Sequence, residues 1–189
     1  MRRLAVYCGS SMGVDPAFAE VARALGVEMA RRRIGLVYGG GHRGLMGVVA
    51  DAVLQAGGEA HGVIPQALVD LEVAHTGLTE LHTVTSMHER KAKMTELCDA
   101  FVALPGGIGT FDELFEAWTW NALGYHAKPF ALLNVGGFWD GLIAFLDTAT
   151  MSGFMSQARR DQLLVGTEIR DVIDRLDGAI GAAEKKMVW

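Results

Sequence analysis

The stretch AFVALPGGIGTFDELFEAW, Ala100 to Trp118, decides the fold. An apolar run, Ala100–Leu104, meets Pro105 and two glycines. Leu114, Phe115 and Trp118 then follow helical spacing. This is a strand, a glycine turn and a helix, the unit from which parallel sheets are built. The same unit recurs outward in both directions. Short strands are expected at Leu4–Cys8, Gly35–Tyr38, Ala60–Ile64, Leu81–Val84 and Phe130–Asn134. Helices are expected near Pro16–Arg32, Leu45–Gly57, Met87–Cys98, Phe111–Leu123, Trp139–Thr150 and Glu168–Ala182. The alternation predicts an α/β, doubly wound, Rossmann-like domain over residues 1–189, with a mostly parallel sheet and helices on both faces.

In such a sheet all parallel strands end on one edge. Four of them end in small-residue loops: Cys8–Ser11, Tyr38–Gly41, Pro105–Gly107 and Asn134–Gly137. Backbone N–H groups at helix starts should therefore converge on one crevice, which suits a phosphorylated ligand. The loops weigh against two familiar nucleotide sites, an NAD site staying as the runner-up. GGGHRG, Gly39 to Gly44, has the dinucleotide spacing, but Glu59, the acid at the right distance, precedes its strand and belongs on the opposite edge. No Gly-Lys-Ser/Thr is present, so a triphosphate loop is out and a monophosphate is favoured.

Local grammar makes TFDE a capping box, with Thr110 as the cap and Glu113 folding back on it. Ser86 and Glu89 form a second box. That box puts Arg90 and Lys91 near the start of a helix, where cations oppose the dipole unless they point into solvent or an anion lies between them. Arg90 and Glu113 should face the same crevice. A carboxylate beside a monophosphate site can stabilise an oxocarbenium-like state, attack the anomeric carbon or activate water. Arg90 is expected to lower the pKa of Glu113 and keep it ionised.

Net charge is −5, pI about 5.6, and basic residues form no block, which argues against a nucleic-acid partner. The cluster Arg31-Arg32-Arg33 closes a predicted helix, where cations are favoured. Cys8 and Cys98 lie far apart in apolar settings and read as buried thiols of a reducing compartment. The histidines show no HExxH-type spacing, so no metal site is expected. The first apolar run is too short for a signal or a membrane span, so a soluble, cytoplasmic protein is expected, with a loosely ordered tail from Gly181.

PGGIGTFDE, together with MHERKAKM, YCGSS, LVYGGGHRGLMG and KPFALLNVGGFWD, resembles the LONELY GUY (LOG) family, the cytokinin riboside 5′-monophosphate phosphoribohydrolases. Many members carry the label "lysine decarboxylase family". The resemblance covers nearly the whole chain. It implies hydrolysis of the N-glycosidic bond of N6-substituted AMP, and of AMP less well, giving free base and ribose 5-phosphate without a cofactor. It makes Arg90 and Glu113 the catalytic pair. It assigns nucleotide binding to Glu72, Arg90, Lys91, the run Gly106, Gly107, Ile108, Gly109, Thr110, Phe111 and Asp112, and Thr119. Backbone around Gly9, Ser10, Gly39, Gly40 and Gly41 would complete the pocket. It also implies a homodimer, with Phe115, Trp118 and Trp120 at or near the interface. The main alternative is a non-catalytic nucleotide or molybdenum-cofactor carrier of related fold. An NAD oxidoreductase lacks its acidic residue, and no segment suggests the Schiff-base lysine of a true lysine decarboxylase.

Overall fold

Seven parallel strands form one sheet in the order β4-β3-β2-β1-β5-β6-β7. The computed structural model describes residues 1–71 and 74–186, with side chains through 180. The strands are β1 (Arg3–Tyr7), β2 (Gly35–Tyr38), β3 (Ala60–Pro65), β4 (Glu80–Val84), β5 (Ala100–Ala103), β6 (Phe130–Leu133) and β7 (Leu163–Gly166). The helices are α1 (Pro16–Arg31), α2 (Gly44–Gln55), α3 (Gln66–Asp70), α4 (Met87–Leu97), α5 (Ile108–Ala122), α6 (Asp140–Met151), α7 (Gln157–Arg160) and α8 (Ile169–Lys186).

The central strands β2, β5 and β6 are buried along their whole length, which is why they read as continuous apolar runs. On one face Leu4, Val6 and Leu36 pack with Leu25 of α1, Val49 of α2 and Leu176 of α8. On the other, Tyr7 and Phe101 pack with Met94 of α4, Leu114 and Trp118 of α5 and Leu146 of α6. Asp15 caps α1 by accepting from Ala17 N–H at 2.9 Å, ahead of Pro16 at the first helical position. At the other end, Glu28 accepts from Arg31 and Arg32, and Arg32 also pairs with Asp174 on α8. The arginine cluster is thus helix-end chemistry, as expected.

The chain runs from β1 to β4 in one direction, then returns to start β5 on the other side of β1. The strand order reverses between β1 and β5, and crevices form at such a point outside the carboxyl ends of the strands. Among the strands and α-helices three were not anticipated, α3, α7 and edge strand β7, all short; a 3-10 turn at Val135–Gly137 was also not foreseen. Helix α8 continues through Lys186 instead of loosening from Gly181.

Candidate active site at the strand switch point

The loops after β1 and β5 are tied together by Gly9 N–H, which donates to Pro105 C=O at 3.1 Å. Between them lies a cavity of about 230 Å³, walled by Gly9, Ser10, Pro105, Gly106 and Gly107, and by Phe18 and Phe138. The two phenylalanines meet edge to face at 5.7 Å. Both aromatic residues escaped the sequence reading. Their signal was position: each follows a small-residue loop on the predicted carboxyl edge.

Helix α5 begins at Ile108, with Gly107 as its N-cap and no side chain capping it. The capping box expected at Thr110 does not form. Thr110 lies inside the first turn, is buried, and packs against Gly106, where a Cβ would come within 2.1 Å of Thr110 Oγ1. The cause is the Gly-Gly pair, which lets the chain turn and enter the helix earlier than the threonine. The N–H groups of Ile108, Gly109 and Thr110 have no hydrogen-bond partner among the described residues. Gly107 and Gly109 have open space where a side chain would stand. This helix end presents free amides and the positive end of its dipole to the crevice.

Freed from capping, Glu113 turns toward Arg90. Its Oε1 is 3.5 Å from Arg90 Nη2, and both residues are more than nine-tenths buried. Arg90 is held from three sides. Nε donates to Val63 C=O at 3.0 Å, Nη2 to Gly39 C=O at 3.1 Å, and Nη1 contacts Met87 Sδ. The second capping box positions it: Ser86 Oγ accepts from Glu89 N–H at 3.1 Å, and the Glu89 carboxylate accepts from Thr85 N–H at 2.7 Å. Burial pushes the Glu113 carboxyl up from 4.5 to about 7, Arg90 pulling it down less strongly. The expectation of a fully ionised carboxylate is therefore corrected. Arg90 acts in the foreseen direction, but desolvation wins. Tyr7 and Cys8 are raised mainly by burial; the Cys98 and then the Glu113 charge add to the rise at Tyr7, and the Glu113 charge adds to it at Cys8, so the Cys8 thiol stays protonated.

The remaining assigned residues divide. Gly9, Ser10, Gly106 and Gly107 line the cavity. Gly39 accommodates Arg90, since a Cβ there would fall 1.8 Å from Nη2. Gly40 has φ +74°, and Gly41 forms an isolated antiparallel bridge with Ala74. Lys91 does not face the cavity: it donates to Asp112 at 3.0 Å and pairs with Glu116. Ile108, Phe111, Asp112 and Thr119 line a separate groove on the outer side of α5. Glu72 lies outside the described residues. A cavity of about 800 Å³ sits at the opposite edge among Arg2, Arg3, Arg33 and Glu59, so Glu59 cannot serve a nucleotide at the switch point. Both cysteines are free and buried.

The family model described as "Possible lysine decarboxylase" matches residues 46–176. The chain is 44% identical to the cytokinin riboside 5′-monophosphate phosphoribohydrolase LOG of Oryza sativa subsp. japonica, over 100% of this chain and 78% of that protein. It is 44% identical to the cytokinin riboside 5′-monophosphate phosphoribohydrolase of Rhodococcoides fascians, over 91% of this chain and 87% of that protein. Among solved structures, the molybdenum cofactor binding protein of Rippkaea orientalis shares the fold. Its TM-score is 0.72 at 20% identity, covering 95% of this chain and 97% of that one.

Proposed function

The chain belongs to the LOG family of cytokinin riboside 5′-monophosphate phosphoribohydrolases, and from that premise we propose that it hydrolyses the N-glycosidic bond of N6-substituted AMP and of AMP itself. The products are the free base and ribose 5-phosphate. One observation supports the reading: Glu113, paired with the buried Arg90, lies one helical turn into α5, the helix whose first amides are uncapped.

The division of labour follows from charge. The amides of Ile108, Gly109 and Thr110 receive the phosphate, where a helix start favours an anion. Glu113, one helical turn further on, is placed for the sugar. Its carboxyl, at about 7, is close to half ionised at neutral pH, the range in which a general base works best. As the bond from C1′ to the base nitrogen breaks, positive charge grows on the ribose. The carboxylate stabilises that charge and either attacks C1′ or takes a proton from the attacking water. The leaving base carries away the bonding pair and is protonated at nitrogen. Arg90 holds Glu113 in place and favours its ionised form, while its bonds to Val63 and Gly39 fix the loop after β2. Free cysteines in both cores support a cytoplasmic setting, and no described helix is long and apolar enough to cross a membrane.

A homodimer through the outer face of α5 completes the proposal. Ile108 is 87% exposed and Phe154 is 90% exposed, and two apolar grooves that share Phe115 and Thr119 run between them. A second copy on this face would bring Thr119 and Phe111 under cover.

Chromatography of reactions with AMP and isopentenyl-AMP tests the function. Release of base with equimolar ribose 5-phosphate is the expected result. Tight nucleotide binding with no release would overturn it in favour of a carrier.

A further inference from the structure

At the edge of the sheet opposite the switch point, β3 and β4 bring three potential metal ligands together. The parallel register pairs His61 with Glu80 and Val63 with His82. Alternation along the strands then puts residues 61, 80 and 82 on one face. His61 Nδ1 is 3.5 Å from Glu80 Oε2, and His82 Nε2 is 3.4 Å from the same oxygen. The three ligand atoms lie within 4.8 Å of one another. His61 is only 4% exposed, yet neither ring nitrogen has a hydrogen-bond partner, and His82 Nε2 is buried without one. Buried polar atoms of native proteins are nearly always satisfied. Two orphan nitrogens beside Glu80 and a third facing Glu59 need a cause.

The separations supply one. They exceed ordinary hydrogen-bond lengths. They match the ligand-to-ligand edge of a tetrahedral zinc site, about 3.3 to 3.4 Å for bonds of 2.0 to 2.1 Å. Glu59 Oε2 stands 3.6 Å from His61 Nε2, the nitrogen facing away from Glu80. That is where a carboxylate commonly orients a metal-bound imidazole. Two imidazoles with one carboxylate suit zinc better than magnesium or calcium.

We propose that His61, Glu80 and His82 bind a divalent transition-metal ion, zinc in the first instance, with Glu59 orienting His61 and water completing the coordination. The expectation of no metal site rested on spacing along a helix, whereas this set is assembled across two strands. The ion has a structural part to play. Strand β4 is an edge with one neighbour, and the metal fastens its first residues to β3. His61 and Glu80 sit where the strands begin, and His82 lies beside Val63, whose carbonyl holds Arg90. The competing account of the same atoms is a protonated histidine shared between carboxylates, with no metal.

The test uses the full chain, stripped with a chelator and titrated with zinc chloride by calorimetry and thermal melting. The expected result is one zinc per chain and a melting temperature raised by about 5 to 10 °C at roughly hundredfold excess over Kd. The double variant Glu80→Gln, His82→Ala should lose both effects while keeping the near-ultraviolet circular dichroism of the folded parent. If that variant does not fold, cobalt spectroscopy of the parent decides: intense visible bands of a tetrahedral site support the proposal, and the weak spectrum of hydrated cobalt overturns it. Zinc binding that is absent, or equally tight in the folded double variant, also overturns it.

Discussion

Two glycine loops look alike in sequence and do opposite things. GGGHRG, after β2, is filled with protein. Gly39 makes room for Arg90, Gly44 at φ +60° lies against the Ser10–Ser11 backbone, and Leu45 and Met46, in the first turn of α2, donate their N–H groups to Gly9 C=O at 3.0 and 3.4 Å. PGGIGT, after β5, is left open: Gly107 and Gly109 face empty space, and the first amides of α5 are unpaired among the described residues. Glycine content alone does not make a phosphate loop. What distinguishes the loops is whether the helix amides behind them are already satisfied.

The largest expected effect separates the loops by stability. Gly44→Ala would place a Cβ 2.3 Å from the Ser10 carbonyl carbon at a left-handed φ. Strain and overpacking together should cost about 3 to 4 kcal/mol, read by urea denaturation. A cost under about 1 kcal/mol would mean that the first loop is not tightly filled.

The buried acid behind the second loop gives the next effect, a dependence of stability on pH. The Glu113 pKa rises from 4.5 unfolded to about 7 folded, so the folded state holds a proton that the unfolded state releases in that window. Its contribution to stability is therefore full below pH 4.5 and is lost as pH rises toward 7, by on the order of 3 kcal/mol. Glu113→Gln removes this loss, so the variant should gain on the wild type across the same window in denaturation curves. A constant difference would show that the carboxyl titrates normally.

The smallest stability effect belongs to the open loop. Gly107→Ala meets no atom within 4 Å and should change stability by less than about 0.5 kcal/mol. Its methyl group instead intrudes on the phosphate position, so steady-state kinetics should show KM for AMP raised roughly tenfold, the equivalent of about 1.4 kcal/mol. An unchanged KM would move the phosphate elsewhere.

Much of this arrangement was legible in the sequence, because apolar runs and glycine turns report backbone directly. Strand β2 falls where its pattern placed it, and Arg90 and Glu113 do meet. Strand β7 was not legible, since LLVG is short and lies at the sheet edge. The cap at Thr110 was misread because Ser/Thr-x-x-Glu grammar ignores the flexible glycines just ahead of it. The Glu113 pKa was misjudged because its charged neighbours can be read from sequence and its burial cannot. The histidine cluster depends on strand register, which pairs His61 with Glu80 across nineteen positions and leaves no local motif.

The central claim is that the Glu113 carboxylate performs the cleavage while the glycine loop holds the phosphate. Glu113→Gln, assayed for base release from AMP and for AMP binding by calorimetry, tests both halves at once. Turnover should fall by about 10² to 10⁴, with binding retained. A glutamine variant that releases base at the wild-type rate would contradict the account.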